Sequence, residues 1–90
     1  MKPLRRSLEE VNRTLTVLAD VKAERERQHQ LFGDQSDKVN GVWLGILVEE
    51  VGEVAKALNE DDPVEHLREE LVQVAAVATA WVEKIDRGVL

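Results

Sequence analysis

The chain has 90 residues, a third of them charged, with 18 acidic against 12 basic side chains and a formal net charge of −6. That balance excludes a general binder of DNA or RNA, which needs a basic stripe, and the lack of cysteine excludes disulfides and thiolate metal sites. No apolar run approaches the about 20 residues of a membrane span. The basic start Met1-Lys-Pro-Leu-Arg-Arg6 is not followed by the apolar block of a signal peptide, so the expectation is one cytoplasmic domain over residues 1–90.

Hydrophobic periodicity is helical almost throughout, and no stretch alternates as a strand does. The expected fold is all-α, with three main helices at about 7–30, 40–58 and 63–87. The first opens at Ser7, with Glu10 three residues on as in a capping box. Leu8, Val11, Leu15 and Leu18 follow at spacings of three and four. From Lys22 to Gln30 the segment is almost wholly polar. It reads either as a solvated helix end or as a place where Arg25 and Arg27 turn toward a phosphate. Phe32-Gly-Asp-Gln-Ser-Asp-Lys38 is rich in turn formers and reads as the one clear loop.

The second helix carries Trp43, Ile46, Leu47, Val51, Val54, Ala57 and Leu58 on one face, by the 3.6-residue repeat. Its Gly45 and Gly52 lower helix propensity and are read as permitting a close helix approach. Asp62 as N-cap, Pro63 at the first helical position and Glu65 in the first turn start the third helix. Gly88 ends it. The middle of the third helix, Leu71 to Val82, carries no charge. A helix apolar on nearly every side needs more cover than two neighbours give. The bundle is therefore expected to be completed by homo-oligomerisation through helix 63–87, with a symmetric pair as the default.

Glu49, Glu50 and Glu53 interrupt the second helix where it is otherwise core-like. Glu50 falls near the middle of the apolar face, Glu53 on its flank and Glu49 on the polar side. A carboxylate in an apolar stripe is costly unless paired or bound to a metal. The third helix carries Glu70 and Gln73 at the same i, i+3 spacing, placed on the flank of a face made by Leu67, Leu71, Val74, Ala78, Trp81 and Ile85. The short connection at Asn59–Asp62 makes the two helices antiparallel neighbours. Counting outward from it brings the two pairs to nearly the same level. Four oxygen-bearing side chains from two helices form a site for a hard divalent cation, Mg²⁺ or Mn²⁺; a solvated acidic face is the competing interpretation.

The run Glu49-Glu-Val-Gly-Glu-Val-Ala-Lys-Ala-Leu58, followed by Leu67-Arg-Glu-Glu-Leu-Val-Gln-Val-Ala-Ala76, resembles the MazG-like all-α nucleoside triphosphate pyrophosphohydrolases, whose pattern is E-E-x-x-E, a spacer, then E-x-x-D. The resemblance covers about Val39 to Ile85, with a weaker likeness over Glu24–Gln28 and Phe32–Gln35. It implies cleavage of the α–β bond of a (deoxy)nucleoside triphosphate by a Mg²⁺-dependent dimer or tetramer of helical bundles. It implies metal ligands at Glu50, Glu53 and Glu70, and at Glu49 an acidic ligand or water-orienting base. Gln73 stands where the family has Asp, which leaves open a catalytically weakened member acting as a nucleotide- or partner-binding module. Lys56 within reach of a phosphate oxygen, Arg27 and Arg25 as phosphate contacts, Lys84 at the far end of a substrate or in a partner's site, and Phe32 stacked on a base complete the candidate set. Trp43 and Trp81 read as core, and His29 and His66 carry no assigned role. The preferred base is open among pyrimidine deoxynucleotides, oxidised nucleotides and guanosine alarmones.

Overall fold

The computed structural model describes residues 5–35 and 37–88, and the basic segment 1–4 and Ser36 of the loop lie outside them. Three α-helices are present, α1 (Leu8–Phe32), α2 (Asn40–Asn59) and α3 (Val64–Asp86), with no strand among the described residues. The all-α expectation holds, and the helix ends move by at most two residues. Ser7 caps α1 as its sequence implies, its hydroxyl accepting from the Glu10 amide at 3.1 Å. Gly33 closes α1 at φ 76°, a backbone region in which a side chain is strained. Gly88 plays the same part after α3, at φ 71° with its amide bonded to the Ile85 carbonyl.

The start of α3 differs from expectation by one residue. Pro63 is the N-cap, and no side chain caps the helix. The Asp62 carboxylate goes to the His66 ring instead, at 2.8 Å from Nδ1. The pairing takes Asp62 away from the amides of the first turn, and the His66 and Leu67 amides donate to the Pro63 carbonyl.

In this fold α3 is the middle helix, flanked by α1 on one side and α2 on the other, and α1 and α2 share no packed seam among the described residues. Asn40 accepts from the Trp81 indole at 2.7 Å, and Glu50 lies beside Gln73. As α2 advances α3 recedes, so the pair is antiparallel. Asp20 with Arg68, Arg25 with Glu83 and Asp34 with Arg87 advance together, so α1 runs parallel to α3. The core is small: Trp43, Val77 and Ala80 with Ile46, Leu47 and Trp81 against them, and Val21, Ala57 and Ala76 buried beside it.

The polar end of α1 is the part that docks. Glu24, Arg25 and Gln28 are half-buried around Val21, so the segment after Lys22 is not simply a solvated helix end. Two expectations about faces also change. Val51 and Leu58 of α2 are more than half exposed, and the inner stripe runs Trp43, Ile46, Leu47, Glu50, Val54, Ala57. On α3, Leu71 and Ile85 face outward, and the buried stripe is Glu70, Ala76, Val77, Ala80 and Lys84. An α-helix with apolar residues on two sides does not specify from periodicity which side faces its neighbours; tertiary packing does. Gly45 and Gly52 meet open space, with nothing within 4 Å of where a Cβ would sit, so they serve no close approach within the chain.

Candidate functional site: an acidic seam between α2 and α3

Glu50 stands on the inner stripe of α2, seven residues after Trp43, so the helix that buries the indole also turns this carboxylate toward α3. Opposite it, α3 supplies Glu70 and Gln73. Glu70 is 8% exposed, deeper than its expected place on a flank. The Gln73 amide, oriented with its nitrogen toward the two acids, donates to Glu50 Oε2 and to Glu70 Oε2 at 3.2 Å each. One neutral side chain thus joins the carboxylates of two helices. The other Glu70 oxygen, Oε1, lies 3.0 Å from His66 Nε2. A continuous chain results, Asp62 to His66 to Glu70 to Gln73 to Glu50.

Electrostatics follow from this crowding. Burial pushes the Glu50 carboxyl above its usual range, and the charges of Glu70, Glu53, Glu24 and Glu49 push it further in the same direction. The hydrogen bond that the His66 ring donates to Asp62 holds it protonated to higher pH than an ordinary imidazole, with Glu70 adding to it. Glu24 of α1 moves the other way. Arg27 grips it through two bonds of 2.7 Å, and this outweighs burial, with the Gln28 amide adding a third bond at 3.0 Å.

Glu53 and Lys56 are exposed on α2, a turn or two beyond Glu50. Glu49 lines a cleft of about 320 Å³ together with Glu50. Ile46, Trp43, Val77 and Ala80 form its apolar wall, and Arg25, Gln28, Phe32 and Lys38 lie on its polar side. Phe32 is 64% exposed there. Trp43 is 3% exposed, and its indole Nε1 is buried with no acceptor. Lys84 is buried at 4% exposure, inside the body of the protein. Arg25 and Arg27 are each held by a glutamate, Glu83 and Glu24. No group of three or more acidic, histidine or cysteine side chains is already gathered for ligation among the described residues.

Sequence reasoning brought Glu50, Glu70 and Gln73 to one place and left out three residues that meet them there. His66 is one. Its signal was the i, i+4 spacing from Asp62 and again to Glu70, which stacks all three on one side of α3. Glu24 and Gln28 are the others, and only the docking of α1 on α3 could reveal them. Compared with known proteins, the chain matches no family model, no curated protein and no solved structure.

Proposed function

We propose that the chain is a divalent-metal-dependent nucleoside triphosphate pyrophosphohydrolase, hydrolysing the α–β phosphate bond to release a monophosphate and pyrophosphate. The observation that carries this proposal is the junction of Glu50, Glu70 and Gln73 from two antiparallel helices, with Glu53 one turn further, in the order of the MazG-like motifs. An all-oxygen donor set suits Mg²⁺ or Mn²⁺, and the like-charge crowding that raises Glu50 is what a bound cation relieves. Gln73 fits the same group: turned over, its amide presents an oxygen where its nitrogen now donates. Glu50, Glu53, Glu70 and Gln73 are the residues that would hold the ion. When bound, it neutralises the triphosphate and lowers the pKa of an attacking water.

The chain's own groups supply orientation. Glu49, at the cleft mouth, orients the water and accepts its proton as the water oxygen bonds to the α-phosphorus. Pyrophosphate leaves with the bridging oxygen. The cleft beside Glu49 takes the nucleoside, with Phe32 at its rim. Lys56, Arg27 and Lys84 remain the phosphate candidates; Arg27 reaches a phosphate only by releasing Glu24, and Lys84 only by leaving its buried place. Leu71, Val82 and Ile85 on α3 and Leu44, Val48, Val51 and Leu58 on α2 are each about half exposed. They support a homo-oligomer built through α3.

Magnesium-dependent pyrophosphate release from a panel of nucleotides tests the proposal. Glu50→Ala and Glu53→Ala are each expected to lower it by about a thousandfold or more, the scale of removing charge stabilisation from phosphoryl transfer. Turnover that survives both substitutions assigns the chemistry elsewhere. The second reading, a binding module that does not turn over, is favoured by the neutral Gln73 bridge between two acids. It wins if Gln73→Asp creates an activity that the native chain lacks.

A further inference from the structure

The first three turns of α1 stand clear of the rest of the molecule. Asp20, paired with Arg68, is the first α1 residue tied to another element. Every residue from 8 to 19 except the half-buried Thr14 is exposed. Along this segment Leu8 is 79% exposed, Val11 38%, Leu15 57% and Leu18 55%. Their spacing of three, four and three is that of a two-heptad coiled-coil seam. The segment extends about 18 Å at 1.5 Å per residue, with its apolar side uncovered.

The seam is not an extension of the face α1 uses within the chain. Val21, Glu24, Arg25 and Gln28 turn toward α3. At 100° per residue, Leu8, Val11, Leu15 and Leu18 point about 110° away from them. The next two places of the repeat fall on Lys22, exposed and bound to Glu26, and on Arg25, bound to Glu83. The seam therefore ends where the intramolecular packing begins, and it needs a partner of its own.

We propose that this seam packs against the identical seam of a second copy of the chain, about a two-fold axis. The flanks of the seam favour a second copy over an unlike partner. The residues flanking the seam ahead of the α3 contact are Asn12 and Ala19 on one side and Thr14 on the other, none of them charged, although a third of the chain is. Two like chains of net charge −6 repel wherever their charged faces meet, and here they meet without one. A charged partner of another kind would leave its complement unmet at these positions. The surface is also too large for a lone subunit. The chain exposes 6883 Å², where a monomer of its mass exposes about 5,300 Å². Its radius of gyration is 15.4 Å, against about 12 Å for a compact chain of this length. The excess is about that of two standard patches of roughly 800 Å² per partner.

Sedimentation velocity of the full chain over a concentration series, with Leu15→Glu and Val82→Glu as separate variants, tests the seam apart from the α3 surface. Both positions are about half exposed, and circular dichroism confirms that each variant keeps its helices. The expected result is self-association by the native chain that Leu15→Glu weakens at least tenfold, with or without an effect of Val82→Glu. Spin labels on Leu15→Cys then report the occupant, with a separation under about 15 Å expected across a paired coiled-coil seam. A native chain that stays monomeric overturns the proposal. So does association untouched by Leu15→Glu, or labels held more than about 25 Å apart, which would seat the seam on a different surface.

Discussion

The inner stripe of α2 and the outer stripe of early α1 invert each other. On α2 a carboxylate, Glu50, is turned inward among Trp43, Ile46, Leu47 and Val54, and leucine and valine side chains are left outside. On α1 the outward stripe is Leu8, Val11, Leu15 and Leu18, and the inward one is Glu24, Arg25 and Gln28 around a single valine. Each arrangement is expensive for a subunit standing alone. The difference lies in what relieves it. The inward acid is relieved within the chain, by Gln73 across the seam. The outward leucines have no cover among the described residues. A bridged acid and an uncovered apolar stripe thus occupy separate stretches of the same small fold.

The comparison breaks most visibly in stability. Trp43→Ala removes the largest side chain of the core and is expected to cost about 3–5 kcal/mol, against about 0.5 kcal/mol or less for Leu15→Ala in dilute, unassociated protein. Urea denaturation at low concentration measures both, and similar losses at the two positions would erase the distinction between core and docking stripe.

A smaller effect sharpens the acidic side. Glu50 holds its proton more tightly in the fold than in the unfolded chain, whose carboxyl titrates near 4.5. Its ionisation therefore removes stability as the pH rises from about that value through the raised one. Glu50→Gln is expected to raise the melting temperature by a few degrees at pH 7–8 without metal, the two proteins converging below the ordinary carboxylate range. Added Mg²⁺ should stabilise the native chain more than the variant. A variant less stable than the native chain at neutral pH would mean that Glu50 is satisfied where it stands.

The smallest expected effect concerns His66. Its pKa is raised by Asp62 and then by Glu70, so what it contributes is fully present below the ordinary histidine value of 6.5 and is lost as the pH rises through the raised one. His66→Ala should accordingly lower the melting temperature more at pH 5.5 than at pH 9. The same small difference at both would show that the ring acts by packing alone.

Much of the helical frame is written in local chemistry. Ser7 with Glu10, Gly33, Pro63 and Gly88 set helix ends through hydroxyl capping, positive φ and the missing proline amide, none of which depends on a distant residue. The approach of Glu50 to Glu70 and Gln73 was legible too, because a short connection between two regular helices fixes both direction and level. Periodicity falls short where a helix has two apolar sides. It put Val51, Leu71 and Ile85 on inner faces, whereas all three are about half exposed, and it put Glu70 on a flank, whereas Glu70 is buried.

By itself, then, the sequence determined three helices, their ends to within two residues, and the approach of Glu50 to Glu70 and Gln73 across an antiparallel turn. Tertiary structure alone decided that α1 docks through its polar end, bringing Glu24 and Gln28 to the site, and that its leucine seam is left outward. The physical reason is that helix geometry is set by neighbours three and four residues apart. Which of several faces is buried depends on how α1, α2 and α3 share one small core around Trp43 and Val77.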